Sequence, residues 1–264
     1  MTRLQLRLGS KLLTHLGSFG WVVVARDERG GPIAIKVART YEDRPYVTVR
    51  SELYREFVLQ QRLSNRDPYH FAKAWGFGDL FPSIPEIAWT AELVGQPYFV
   101  QEYLQGTTLA DAISAGIVFS FEEGKRLALN LVQAVIAMES EGFAHNDIAP
   151  SNVMMCYDNR IVLIDLGCAS RFVASAPIIG HGGYESPMRI PGTSPRAADS
   201  LFSIAMCVRD ACFPDYLPND ALANRRAYAV QSISSLPDCA LSGWIARCIL
   251  GRFKTCEEAY EGLR

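Results

Sequence analysis

The stretch that most restricts what this chain can become runs from Gly142 to Leu166, G-F-A-H-N-D-I-A-P-S-N-V-M-M-C-Y-D-N-R-I-V-L-I-D-L. Two short apolar runs, Val153–Tyr157 and Ile161–Ile164, flank the turn pair Asp158-Asn159, and this pattern predicts a β-hairpin. Such a hairpin presents Asp147 and Asn152 just before its first strand and Asp165 just after its second. Three oxygen-bearing side chains then meet at one end of a rigid ribbon. Hard cations such as Mg2+ take oxygen ligands and keep part of their shell for substrate phosphates, so the pattern suits a metal–phosphate site. Asp and Asn are equally at home in plain turns, because their side chains bond nearby backbone groups. The stretch alone does not separate the two readings.

A chain of 264 residues is long enough for one large domain or two lobes around a substantial core. Its 49% hydrophobic and 20% charged residues are those of a soluble globular protein. A net charge of −2 offers no basic field to nucleic acid or anionic lipid. The seven cysteines, first met at Cys156, are odd in number and form no C-x-x-C pair, which points to a reducing compartment rather than a disulfide framework. Met1-Thr-Arg-Leu-Gln-Leu-Arg-Leu8 has no uninterrupted apolar run, and no later run is long enough to span a bilayer. The expectation is a soluble, monomeric, cytoplasmic protein, the nucleus being the other compartment open to it. Neither nucleic acid nor membrane is expected as a partner.

Residues 4–38 read as β structure. Leu4, Leu6 and Leu8 alternate with polar residues, and Trp21–Ala25 and Ile33–Val37 are β-branched apolar runs. Gly17-Ser18-Phe19-Gly20 lies between the first two. Paired glycines there let backbone N–H groups approach a phosphate, and a plain hairpin turn wants glycine as well. Lys36 sits in an apolar strand, where lysine needs an anionic partner. Residues 47–63 carry a helical pattern with Glu52 and Glu56 on it, and either could supply that partner. Strand-like runs return at His70–Phe77 and Pro97–Leu104, with a loop expected around Pro82-Ser-Ile-Pro85. A short helix is expected over Thr107–Ala115. A long one covers Phe121–Glu141, with Ser120 as N-cap and Gly142 as stop. Ala197–Phe213 and Asp238–Leu250 read as buried helices and Cys256–Leu263 as a short terminal one. Strands first and helices after imply an α+β fold with two unequal lobes.

In order, spacing and local context these pieces resemble the protein kinase family from about Leu12 to Leu263. The family carries a glycine-rich loop, a Val-Ala-Ile-Lys strand, a helix glutamate, a His-Arg-Asp loop closing on Asn, an Asp-Phe-Gly and an Ala-Pro-Glu. Here stand Gly17-Ser-Phe-Gly20, Ile33-Ala-Ile-Lys36, Glu56, His145-Asn-Asp147 with Asn152, Asp165-Leu-Gly167 and Ser186-Pro-Met188. The resemblance implies a single bilobal domain over residues 1–264. A small β-rich N-lobe with one helix would span about 1–103, and a larger, mainly helical C-lobe about 106–264. It also implies ATP and Mg2+ as cofactors. Lys36 would hold the α- and β-phosphates, with Glu56 aiming it, while Asn152 and Asp165 carry Mg2+ and Asp147 accepts the proton of the incoming hydroxyl. Gly17, Ser18, Phe19 and Gly20 would cover the phosphates. Val22, Ala34, Met154 and Ile164 would sandwich the adenine. Gln101 would stand at the gatekeeper position, and Glu102 and Leu104 would offer backbone groups to the base.

Several positions depart from that pattern. His15 replaces the first glycine of the loop. Asn146 replaces the arginine that in many members binds a phosphate on the activation segment, so such activation is less expected. Ala149 and His181 replace a lysine–threonine pair. Met188 replaces a glutamate that anchors the segment, leaving it to packing or to mobility. Gln60 takes a helix position that is usually apolar, and Cys168 is a candidate redox or covalent-ligand site or else buried filler. The leading expectation is an ATP- and Mg2+-dependent kinase of protein hydroxyls, Ser/Thr in the first place. A pseudokinase scaffold and a small-molecule phosphotransferase of aminoglycoside or choline kinase type remain as alternatives.

Overall fold

The computed structural model describes residues 14–17, 20–27, 29–38, 45–81, 93–172, 183–190, 193–214 and 233–264. The strand expected from Leu4, Leu6 and Leu8, the loop at Pro82–Pro85, and Ser18, Phe19 and His181 lie outside these residues. The chain divides into two compact units, Met1–Pro68 with Ala72–Leu104, and Tyr69–Phe71 with Gln105–Arg264. The first is β-rich and the second mainly helical, an α+β chain as its element order predicts.

The first unit is built on a five-stranded antiparallel sheet. Its strands are β1 (Thr14–Gly17), β2 (Gly20–Arg26), β3 (Pro32–Ala38), β4 (Ala74–Gly78) and β5 (Tyr98–Glu102), in the order β1-β2-β3-β5-β4. One helix, α1 (Tyr46–Arg66), joins β3 to β4. Side chains alternate across a strand, so the two faces of β3 carry different residues. Ile33, Ile35 and Val37 pack with Val23, Ala25 and Val100 beneath Phe81 and Leu93, which come from the β4–β5 connection. On the opposite face Ala38 joins Phe99 and Ala74 beneath Val49, Leu53 and Phe57 of α1. The sheet is therefore covered on both sides, and every residue of β3 after Pro32 is buried.

The second unit surrounds α3 (Phe121–Ser140), which follows β6 (Gly106–Thr108) and α2 (Leu109–Ser114). Leu127, Leu131, Val132, Val135 and Met138 form one buried stripe on α3. Its start is a capping box. Ser120 Oγ accepts the Glu123 N–H while the Glu123 carboxylate accepts the Ser120 N–H. Its end is marked by Gly142 at φ 79°, a backbone conformation that only glycine adopts freely. The chain continues through β7 (Phe143–Ala144), a 3-10 turn over Pro150–Asn152, and the hairpin β8 (Val153–Cys156) and β9 (Ile161–Leu163). β6 adds to this hairpin in the order β6-β8-β9, while β10 (Ser170–Arg171) pairs with β7. α4 (Ala197–Cys212) is buried from Asp199 to its end and packs on α3 and on α5 (Ala240–Ile249). α6 (Cys256–Glu261) closes against α3.

Gly20 shows what the small residue is for. It opens β2 opposite Gly17, and a Cβ on it would stand 2.2 Å from the Val37 carbonyl oxygen on β3. That contact is with backbone, which cannot swing aside. Gly20→Ala is expected to destabilise the chain by about 1–3 kcal/mol, seen as a lower urea midpoint with an unchanged denaturant slope.

Candidate active site

In the first unit the buried polar side chains stand on the α1 face of the sheet. Val22 on β2 faces Lys36 on β3, and Ala34 faces Gln101 on β5, so Val22, Ala34, Lys36 and Gln101 share one face. Lys36 is 6% exposed, and its Nζ donates to Glu56 Oε1 at 2.6 Å. Of the two glutamates that could meet it, Glu56 does so because it lies on the inward face with Leu53, Phe57 and Gln60, whereas Glu52 is half-buried. Gln60 Nε2 donates to Gln101 Oε1 at 2.6 Å and to the Ala72 carbonyl at 3.1 Å. The Glu102 N–H is engaged by the Lys73 carbonyl, and Leu104, half-buried, follows β5. Gly17 and Gly20 close the β1–β2 pair.

In the second unit the loop between β7 and β8 is held by a mesh of short bonds. Asn152 Nδ2 donates to the Asp147 carbonyl at 2.8 Å and to Asp147 Oδ2 at 2.9 Å. The Asn152 carbonyl accepts the Ile164 N–H at 2.9 Å, and Ile164 immediately precedes Asp165. His145, 1% exposed, closes the circuit. Its Nδ1 accepts the Asp147 N–H at 3.3 Å, which leaves Nε2 to carry the proton and donate to the Ile164 carbonyl at 3.2 Å. Asp147, Asn152 and Asp165 are thus fixed at one end of the β8–β9 hairpin by bonds among themselves and their neighbours. With its Nδ2 turned to Asp147, Asn152 has an amide oxygen that could serve a cation. Asp165 adopts φ 61° and its Oδ1 accepts the Gly167 N–H. Met154 and Ile164 are both half-buried at the same end.

A model of the protein kinase domain matches residues 14–212. The chain belongs to the protein kinase family. A Streptomyces coelicolor protein described as a probable serine/threonine-protein kinase is 29% identical to it over 117 residues, 42% of this chain and 17% of that protein. Serine/threonine-protein kinase PknG of Mycolicibacterium smegmatis is 30% identical over 132 residues, 47% of this chain and 17% of its own length. PknB of Mycobacterium leprae is 29% identical over 118 residues, covering 42% and 19%. The alignments span less than a fifth of these relatives.

The departures of this kinase domain from its family's pattern have visible structural answers. Asn146 sits at φ 66°, and its Nδ2 donates to the Cys168 carbonyl and to Ser170 Oγ, both at 2.9 Å. A neutral amide engaged in this way ties the loop directly to the chain after Asp165. Met188 lies against Gly251, whose added Cβ would meet Met188 Cε at 2.9 Å. The surrounding segment is bonded to α4 and its cap. Tyr184 Oη donates to Asp210 Oδ2 at 2.7 Å, Ser203 Oγ to the Tyr184 carbonyl at 2.5 Å, and Arg196 Nη2 to the Met188 carbonyl at 2.7 Å. Residues 183–190 are held, by packing and by hydrogen bonds. Asp199 accepts the Arg196 N–H at 2.9 Å and so caps its own helix. Ala149 is buried.

In the sequence, the only signal for the role of His145 is its spacing of two residues from Asp147. Nothing in the sequence joins Gln60 to Gln101. None of the seven cysteines is in a disulfide. Burial holds the thiols of Cys207, Cys248 and Cys256 well above the usual range and pushes that of Cys212 up to about 12.

Asn146→Ala removes the side-chain bonds to Cys168 and Ser170, with a longer one to the Ala144 carbonyl, and places a Cβ-bearing residue without a compensating side chain in the left-handed region. The expected loss is about 2–3 kcal/mol in urea denaturation. Asn146→Gly should recover the backbone part alone, about 1 kcal/mol.

Proposed function

We propose that this kinase domain, assigned to residues 1–264, transfers the γ-phosphoryl group of ATP to protein serine or threonine hydroxyls. The observation that carries this reading is the bond from Asn152 Nδ2 to Asp147 Oδ2, with the Asn152 carbonyl holding Ile164 directly before Asp165. It fixes one carboxylate able to take a proton beside an amide oxygen and a second carboxylate able to hold a cation. One carboxylate and one amide oxygen are a hard donor set that suits Mg2+, which completes its shell with phosphate oxygens and water. When bound there, Mg2+ would neutralise charge on the transferring phosphoryl group.

The residues of the chain do the rest by position and charge. Lys36, held by Glu56, neutralises the α- and β-phosphates. Asp147 accepts the proton as the acceptor oxygen bonds to the γ-phosphorus and the bond to the β–γ bridging oxygen breaks, with ADP leaving. Val22, Ala34, Met154 and Ile164 supply apolar surface for the adenine. The relatives' names support serine and threonine as acceptors. Among the described residues no helix is long and apolar enough to cross a membrane. Seven cysteines outside any disulfide agree with a reducing cytoplasm.

The test incubates the purified chain with Mg2+ and γ-labelled ATP, generic protein acceptors and a panel of small alcohols. Label is expected on protein serine or threonine, lost on chelation. Asp147→Asn and Lys36→Met should each lower the rate by about 100-fold or more. Label confined to the alcohols would assign a small-molecule phosphotransferase. No label anywhere, with ATP still bound, would assign a scaffold.

A further inference from the structure

We propose that the Gln60–Gln101 amide pair is a positioning device that fixes the rotation of α1 about its own axis and thereby keeps Glu56 on Lys36. Glu56 and Gln60 lie one helical turn apart on the same face of α1, roughly 5–6 Å from each other. Their partners stand on one face of the sheet. Lys36 faces Phe99 and Ala34 faces Gln101, so Lys36 and Gln101 are diagonal neighbours on adjacent strands, about 7–8 Å apart. The spacing on the helix nearly matches that on the sheet, so both polar contacts form together. On its buried face the helix is pinned at these two points.

Two pins do what one cannot. Arg50 and Tyr46, near the start of α1, also bond to Asp79, but those contacts are solvent-exposed and hold the helix weakly. The apolar packing of Leu53, Phe57 and Phe99 is non-directional, so the Lys36–Glu56 contact by itself leaves α1 able to roll. A hydrogen bond has a direction. The amide orientation is itself determined. The Ala72 carbonyl can only accept, so the Gln60 NH2 must face it, and its second N–H then requires an acceptor from Gln101. Gln60 is 5% exposed, in a place where an aliphatic side chain would pack without any polar cost. The pair exchanges that simpler packing for directional control.

The inference rests on the proposed kinase reading for its purpose, but not for its test. Amide hydrogen exchange is measured without nucleotide on the wild type, on Gln101→Met, which removes the acceptor, and on Gln101→Glu, which keeps one. In Gln101→Met the α1 amides from Leu53 to Leu63 should exchange about fivefold to tenfold faster, with those of α3 unchanged. Gln101→Glu should restore protection. Mg2+-ATP affinity should fall by a similar factor in Gln101→Met, with the thermal midpoint little altered. Unchanged α1 exchange in Gln101→Met, equal loosening of α3, or no restoration by Gln101→Glu would overturn the proposal. A wild type that binds no ATP would defeat the kinase reading, and the exchange results would still decide the pin.

Discussion

A lysine ammonium and a glutamate carboxylate lie 2.6 Å apart with side-chain exposures of 8% and 4%, and the first unit is arranged around that fact. Removing two charges from water is unfavourable, and their mutual attraction recovers the loss only when the geometry is good. A well-packed apolar pair would serve stability as well or better. The ion pair makes sense as a means of specifying where α1 rests and of holding an ammonium ready in a place where no loose lysine would stay. The sheet supplies rigidity from both sides. Phe81 and Leu93 close one face and the α1 residues Val49, Leu53 and Phe57 close the other, so β3 has little freedom to move Lys36.

The second unit solves a different problem with different means. Its three oxygen-bearing residues belong to loops, which lack the ladder bonds of strands and helices. Order there comes from side chains bonding to backbone. His145, Asn146 and Asn152 each reach across to a carbonyl, and the chain accepts left-handed conformations at Asn146 and Asp165 to make this possible. Positive φ at non-glycine residues is unfavourable by about 1 kcal/mol or more. It persists because the surrounding bonds leave no relaxed alternative. The β8–β9 hairpin and α3 act as the frame that these loops are bolted to.

Much of this was legible in the sequence because it is written in local signals. The turn pair Asp158-Asn159 between short apolar runs gives the hairpin, and Ser120 with Glu123 and Gly142 gives both ends of α3. The order of the short motifs gives the family. What sequence could not show is which partners meet across long separations. Gln60 and Gln101 are 41 positions apart, and each alone is an unremarkable glutamine. The same holds for Tyr184 and Asp210, which secure a segment where the family's usual anchor is missing. Asp199 caps α4, the near use for a carboxylate three residues from the residue preceding the helix.

The cysteines carry a consequence for how the protein meets reactive chemistry. A thiol attacks electrophiles and oxidants as its thiolate, so one whose ionisation is pushed far above neutrality is inert in practice. Cys207, Cys212, Cys248 and Cys256 are all in that condition, packed around α4, α5 and α6. Toward peroxide or an alkylating probe the helical unit therefore behaves as though those sulfurs were hydrocarbon. Cys168 and Cys239, both half-buried, are left as its more approachable thiols. One of these follows Asp165 by three residues and holds Asn146 through its carbonyl, so a bulky adduct there would crowd the loop that the rest of the unit is built to keep still.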